Sequence, residues 1–159
     1  YQAFLSATHY HRWHSPVAGT VTRAFNVAGT YYSEADAEGS DADTAPDSQA
    51  YLAHVSARAI VVIEADNPAI GQVAFVAVGM LEVSSCLIDA SVRPGRHLAK
   101  GDELGFFQFG GSTHCLVFEP GAVDSFDTTV IPQPSDPAHA PQVHPVRAAL
   151  ALARTPGDS

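Results

Sequence analysis

Apolar residues in this 159-residue chain gather into short runs separated by Gly, Pro, Asp and Asn, and no stretch keeps a long helical period. That pattern predicts strands joined by turns. Residues 1–9 read as a first strand, and Ser15-Pro16-Val17-Ala18-Gly19 as a turn feeding a strand that continues through Phe25. Two β-branched runs, Ala59–Ala65 and Gly71–Val78, flank the turn signal Asp66-Asn67-Pro68, and Met80–Ile88 makes a third. Their near-continuous apolar content predicts strands covered on both faces. Further on, Phe107-Gln108-Phe109 and Cys115-Leu116-Val117-Phe118 bracket Gly110-Gly111-Ser112-Thr113-His114. A short strand is expected over Phe126–Ile131, and two marginal turns of helix over Arg147–Arg154.

The expected fold is therefore mostly β, a barrel-like β-sandwich with an acidic loop and an irregular C-terminal tail. Residues 33–50 carry six carboxylates and no cation, which predicts a solvated loop without the residue order of a calcium loop. Residues 132–145 hold five prolines and no apolar run, so the chain divides into a domain over 1–131 and a Pro-rich tail over 132–159. The glycine turns after Ser15 and around Gly95, Gly101 and Asp102 are similar to the paired turns of biotinyl and lipoyl carrier domains. Lys100 is the single lysine, but it precedes a Gly-Asp turn instead of occupying the hairpin tip that a carrier presents for modification.

Charge and composition narrow the function classes. A net charge of −9 argues against nucleic acid and against an anionic membrane surface as partners. No apolar run approaches the roughly 20 residues that span a bilayer. Cys86 and Cys115 fit neither a disulfide framework nor a metal motif, which points to a reducing cytoplasm. The lone turn lysine speaks against pyridoxal phosphate, which is held by a lysine.

Two stretches carry candidate chemistry. The Gly110-Gly111 pair permits backbone conformations that a Cβ forbids, and Ser112 follows directly. A serine hydroxyl there can attack the preceding carbonyl, convert the Gly111–Ser112 amide to an ester and cleave the chain by β-elimination. An ordinary Gly-Gly-Ser-Thr turn is the alternative. The second stretch, Tyr10-His11-Arg12-Trp13-His14-Ser15-Pro16, follows His9. His9, His11 and His14 could ligate a metal, but no further carboxylate or histidine at suitable spacing completes a site, and acid–base work by His11 and His14 is the better reading.

Together with Lys100-Gly101-Asp102-Glu103-Leu104-Gly105, these stretches resemble, in order, the YHRxHxP, KGxExGxF and G-S-[ST] motifs of the phosphatidylserine decarboxylase family. The resemblance covers roughly residues 4–120. The Gly-Gly form of the site, Trp13 and Ile63-Glu64-Ala65-Asp66-Asn67 look closer to the soluble branch acting on free aromatic amino acids, and Arg58 aligns with an arginine ahead of the family's first core strand. The resemblance implies self-cleavage between Gly111 and Ser112, a pyruvoyl cofactor formed from Ser112, and decarboxylation through a Schiff base with the substrate amine. It assigns His11 to proton chemistry on the substrate and His14 to activating Ser112, with Gly110, Thr113 and His114 in support.

The implied substrate is a small carboxylate bearing an amine: a free aromatic amino acid or, alternatively, the head group of phosphatidylserine, giving phosphatidylethanolamine. Both cleaved chains are expected to stay associated, and a homo-oligomer is left open. A non-catalytic carrier-like domain and a His-rich metal-binding β-domain are the readings of another class. The family also places an aspartate upstream of the YHRxH segment to orient its histidine. The chain opens on a strand without Met, nine residues before Tyr10, so that aspartate and any membrane-contacting segment are expected to lie upstream of it. Asp66, Asp89 and Asp102 are the acids inside the chain that could stand in.

Overall fold

The computed structural model describes residues 1–6, 8–31, 48–80, 85–108, 111–131 and 144–154. Eleven strands and a short helix are seen among them: β1 (Gln2–Leu5), β2 (Arg12–His14), β3 (Gly19–Val27), α1 (Gln49–Val55), β4 (Arg58–Ala65), β5 (Gln72–Gly79), β6 (Ser85–Ile88), β7 (His97–Leu98), β8 (Glu103–Gln108), β9 (Ser112–Phe118), β10 (Val123–Phe126) and β11 (Ala151–Ala153). The chain is mostly β, as its apolar runs predict. A six-stranded antiparallel sheet in the order β1-β9-β5-β4-β3-β7 curls into a half-barrel. A three-stranded sheet, β2-β8-β6, packs against its concave face, and β10 and β11 form a separate ribbon. The kinship with biotinyl- and lipoyl-type folds rests on the glycine turns of the sequence alone.

β-Branched residues favour the pleated backbone at the centre of the large sheet, and register fixes which side chains face inward. Val61 of β4 pairs with Phe75 of β5, and Phe75 pairs with Leu116 of β9. These side chains meet Trp13, Leu104 and Phe107 from the smaller sheet in one core. Burial alternates along β4: Ala59, Val61, Ile63 and Ala65 are buried, while Arg58, Ile60 and Val62 are only half-buried and Glu64 is exposed. The expectation of strands covered on both faces is thus corrected, because an antiparallel sheet can leave one face towards solvent. Burial on both faces is seen at the start of β9, where Ser112 and Thr113 lie, and at the end of β5, where Val78, Gly79 and Met80 lie. Met80 packs there with Leu52 of α1 and Phe4 of β1.

Three further expectations change. The C-terminal helix is absent: Ala151–Ala153 pairs antiparallel with β10. The strand expected over Phe126–Ile131 begins earlier, at Val123, and gives way to a turn of 3₁₀-helix over Thr128–Val130, where the Asp127 side chain accepts from the Thr129 N–H. Within Met80–Ile88 only Ser85–Ile88 is a described strand, since residues 81–84 lie outside the described residues. Residues 33–47 of the acidic loop and 132–143 of the Pro-rich tail lie outside them too.

Candidate active site

β8 ends at Gln108 and β9 starts at Ser112, so the Gly-Ser peptide sits where the chain passes from the small sheet into the large one. Gly110 lies outside the described residues; Gly111 is buried. Ser112 is flanked by Leu5 of β1 and Gly79 of β5, and it is fully buried. Its Oγ has no hydrogen-bond partner among the described residues. Such an orphaned hydroxyl costs about 1–3 kcal/mol and calls for an explanation, of which a catalytic role is one. The site therefore fits a serine that is to be converted.

The next residue is held firmly. Thr113 is fully buried, and its Oγ1 lies 2.9 Å from both the Ala3 carbonyl oxygen and Gln49 Oε1. Gln2 Nε2 donates to the same Oγ1 at 3.3 Å. The network ties β9 to β1 and to the first residue of α1, beside the candidate cleavage point.

β2 runs antiparallel to β8, with Arg12 opposite Phe106 and Trp13 opposite Gly105. The Phe107 N–H donates to the His11 carbonyl at 3.0 Å, which sets His11 at the end of β8 nearest Ser112. His14 pairs with Glu103 at the far end. The two histidines thus occupy opposite ends of one strand pairing. His11 Nδ1 is 2.6 Å from the His9 carbonyl oxygen, and a carbonyl can only accept, so Nδ1 carries the proton and Nε2 the free lone pair. That Nε2 is buried without a partner among the described residues. His14 is tied at both nitrogens: Nδ1 donates to the Gly101 carbonyl at 2.9 Å, and Nε2 accepts from the Tyr10 hydroxyl at 2.9 Å.

Strand alternation sends His11, Trp13 and Phe107 to the inner face of the small sheet, and Ser112, His114 and Leu116 to the inner face of the large one. Ring contacts connect the two faces. His11 meets Phe107 edge-on, Phe107 meets Trp13 edge-on, Trp13 stacks on Phe75, and Phe75 lies parallel to His114 at 5.4 Å. Burial pushes the His114 pKa down to about 4, which keeps its ring neutral. The sequence pointed to His114 and the two motif histidines; it did not single out the Trp13 indole N–H, which is also buried and has no partner among the described residues. The signal was available, because Trp13 is two residues from His11 on a strand. Gln49 carried none.

The acids within the chain are engaged locally. Asp66 pairs with His97, Asp89 accepts from the Ser91 N–H and hydroxyl, and Asp102 accepts from the Ala99 N–H. Arg58 donates to the carbonyls of His54 and Ser56, closing the end of α1. Lys100 is exposed in its turn. No group of three or more His, Cys, Asp or Glu side chains arranged for a metal is found among the described residues, and His9 Nδ1 accepts from the Ser6 N–H. Cys86 and Cys115 are free thiols, and burial raises the Cys86 pKa to about 11.

Residues 1–143 match the phosphatidylserine decarboxylase family. The chain is 50% identical over 142 residues to "Decarboxylase iboD" of Amanita muscaria, covering 82% of this chain and 40% of that protein. It is 44% identical over 123 residues to an L-tryptophan decarboxylase of Psilocybe cubensis, covering 72% of this chain and 28% of that protein. Against phosphatidylserine decarboxylase proenzyme 3 of Schizosaccharomyces pombe it is 35% identical over 127 residues, covering 80% of this chain and 12% of that protein. The chain thus spans well under half the length of these curated relatives. With the family matched over nearly its whole length and a buried, unpartnered serine at the family's Gly-Ser position, this chain belongs to the phosphatidylserine decarboxylase family.

Proposed function

We propose that this chain is the serine-bearing part of a self-processing, pyruvoyl-dependent decarboxylase acting on a free aromatic L-amino acid. The observation that carries the reading is Ser112: fully buried, unpartnered at Oγ, and directly preceded by Gly111. In self-cleavage the Ser112 Oγ attacks the Gly111 carbonyl carbon and the amide C–N bond breaks, leaving an ester and a free Ser112 amine. Loss of the Ser112 α-proton expels the Gly111 carboxylate, and water releases ammonia to leave a pyruvoyl group at the head of the second chain. That chain begins within β9, held between β1 and β5, which supports the two products staying together.

A pyruvoyl group formed at Ser112 would supply an electrophilic carbonyl for the substrate amine and an electron sink for the bond to CO₂. Everything else falls to side chains. His11 Nε2, with its lone pair free in the interior, is the group suited to carry a proton to and from the reacting carbon. His14, fixed by Gly101 and Tyr10, lies farther along β2, and its part in activating Ser112 rests on the family motif. Phe75, Phe107 and Trp13 pack as apolar rings in the core beside it, surroundings that would keep water from the proton transfer.

The substrate preference is supported by the graded identities, which are higher to the tryptophan decarboxylase than to the phosphatidylserine decarboxylase. The acidic balance of the chain points the same way, since it offers little to an anionic membrane. Two free cysteines suit a cytoplasmic setting. The test is CO₂ release from L-tryptophan, L-tyrosine and phosphatidylserine by the full-length protein and by its Ser112→Ala variant. We expect turnover of the amino acids and none by the variant. Faster turnover of phosphatidylserine overturns the substrate, and an active Ser112→Ala variant overturns the mechanism.

A further inference from the structure

Trp13 is the one tryptophan of the chain, and only 2% of it is exposed. Its ring is clamped on three sides: stacked on Phe75 at 5.7 Å, edge-on to Phe107 at 4.9 Å, and laid over Gly105. A Cβ at Gly105 would come within 2.8 Å of the indole and 2.1 Å of the Leu87 carbonyl oxygen, so the absence of a side chain there is what admits the ring. An indole held this way has no freedom to turn its N–H towards solvent. Yet Nε1 has no acceptor among the described residues. A buried donor without a partner is costly, and it calls for an acceptor brought from outside.

Ser112 Oγ and His11 Nε2 are likewise buried without a partner among the described residues, and His11 and Trp13 both contact the Phe107 ring. On the decarboxylase reading, the Ser112 position takes the substrate amine and His11 handles a proton. The remaining polar group of an α-amino acid is its carboxylate, which only accepts. No cation of this chain is placed to meet it. Of the eight basic side chains, Arg12, Arg23, Arg93, Arg96, Lys100, Arg147 and Arg154 are exposed, and Arg58 is spent on the carbonyls of His54 and Ser56.

We propose that Trp13 binds the substrate carboxylate, its indole N–H donating to one carboxylate oxygen in the space between the two sheets. The inference rests on the decarboxylase reading, and the chemistry suits it. A neutral donor among aromatic rings orients the carboxylate without the charge pairing that would stabilise it against leaving as CO₂. The contact is made to the group shared by every candidate substrate, so it holds for an aromatic amino acid and for the phosphatidylserine head group alike.

The test uses the full-length processed protein with Trp13→Phe, and with 3-benzothienylalanine at position 13, which keeps the indole shape but replaces N–H by sulfur. Binding of 3-indolepropionate, which has the carboxylate but no amine, and of tryptamine, which has the amine but no carboxylate, is measured by calorimetry beside kcat/KM for L-tryptophan. Both variants should lose about 10- to 100-fold in 3-indolepropionate affinity and in kcat/KM, the worth of a hydrogen bond to a charged group, with tryptamine affinity unchanged. If the two ligands weaken together, Trp13 only packs the site; if neither weakens in the benzothienyl variant, the N–H is not used. Either result overturns the proposal. Should the wild type turn over phosphatidylserine instead, the same comparison is made with phosphatidylserine against phosphatidylethanolamine. A wild type that turns over neither fails in its own arm, which sinks the functional reading and this assignment with it.

Discussion

His11 Nδ1 lies 2.6 Å from the His9 carbonyl oxygen, and that contact leaves Nε2 as the basic nitrogen of a ring turned into the core. The backbone fixes the tautomer here, a task that a carboxylate performs in a serine–histidine–aspartate triad. His14, three residues on, has both nitrogens occupied by Gly101 and Tyr10. The pair therefore divides into one free base and one anchored ring.

Substituting the two histidines should separate their roles. His11→Gln keeps a polar side chain but removes the base, and processed enzyme carrying it should lose about 10²- to 10⁴-fold in kcat, the usual worth of a positioned acid–base group. Tyr10→Phe removes the hydroxyl that holds His14 Nε2 and should change kcat far less while slowing the appearance of cleaved chain. Single-turnover CO₂ release and a gel time course read the two quantities apart. Equal losses in both variants would contradict the division.

Thr113 supplies a second prediction. Its hydroxyl is shared by Ala3, Gln49 and Gln2, and it is fully buried. Thr113→Val keeps the shape and leaves those partners unsatisfied, which should cost about 1–3 kcal/mol of stability. Gln49→Ala should cost less, because Ala3 and Gln2 still meet the hydroxyl. Denaturant midpoints check the order, and a Gln49→Ala loss exceeding that of Thr113→Val would contradict it.

His114 makes stability pH-dependent. Its pKa falls from the usual 6.5 to about 4, chiefly through burial, so below pH 6.5 the unfolded chain takes up a proton that the folded chain refuses until about pH 4. The contribution is complete above pH 6.5, declines as pH falls through this window, and amounts to on the order of 3 kcal/mol. Thermal melts at pH 7.5 and pH 5 should differ more in the wild type than in His114→Phe, which keeps the stack on Phe75. Equal pH sensitivity in the two proteins would show that His114 titrates normally.

The parts of the fold legible in the sequence are those where local and tertiary preferences agree. β4 and β5 are β-branched runs about a turn whose Asn67 carboxamide accepts from the Ala69 N–H, and the candidate chemistry at Ser112 was marked by its glycines. α1 escaped notice because it is a seven-residue helix following an acidic stretch, and its one fully buried residue, Leu52, gives no period. It exists because Leu52 meets Met80 and Phe4, which no local pattern shows. Ala151–Ala153 has the composition of a helix but extends because β10 offers a free edge. The burial of the unpartnered atoms of His11, Trp13 and Ser112 follows from how the two sheets pack, and spacing along the chain does not reveal it.

The central claim is that the backbone breaks between Gly111 and Ser112. Intact mass spectrometry of the full-length protein, denatured after purification, tests it directly. The account predicts two chains, the second beginning with a pyruvoyl group at position 112, and a single uncleaved, inactive chain for Ser112→Ala. A wild-type protein that remains one chain of unmodified mass while releasing CO₂ from its substrate would contradict it.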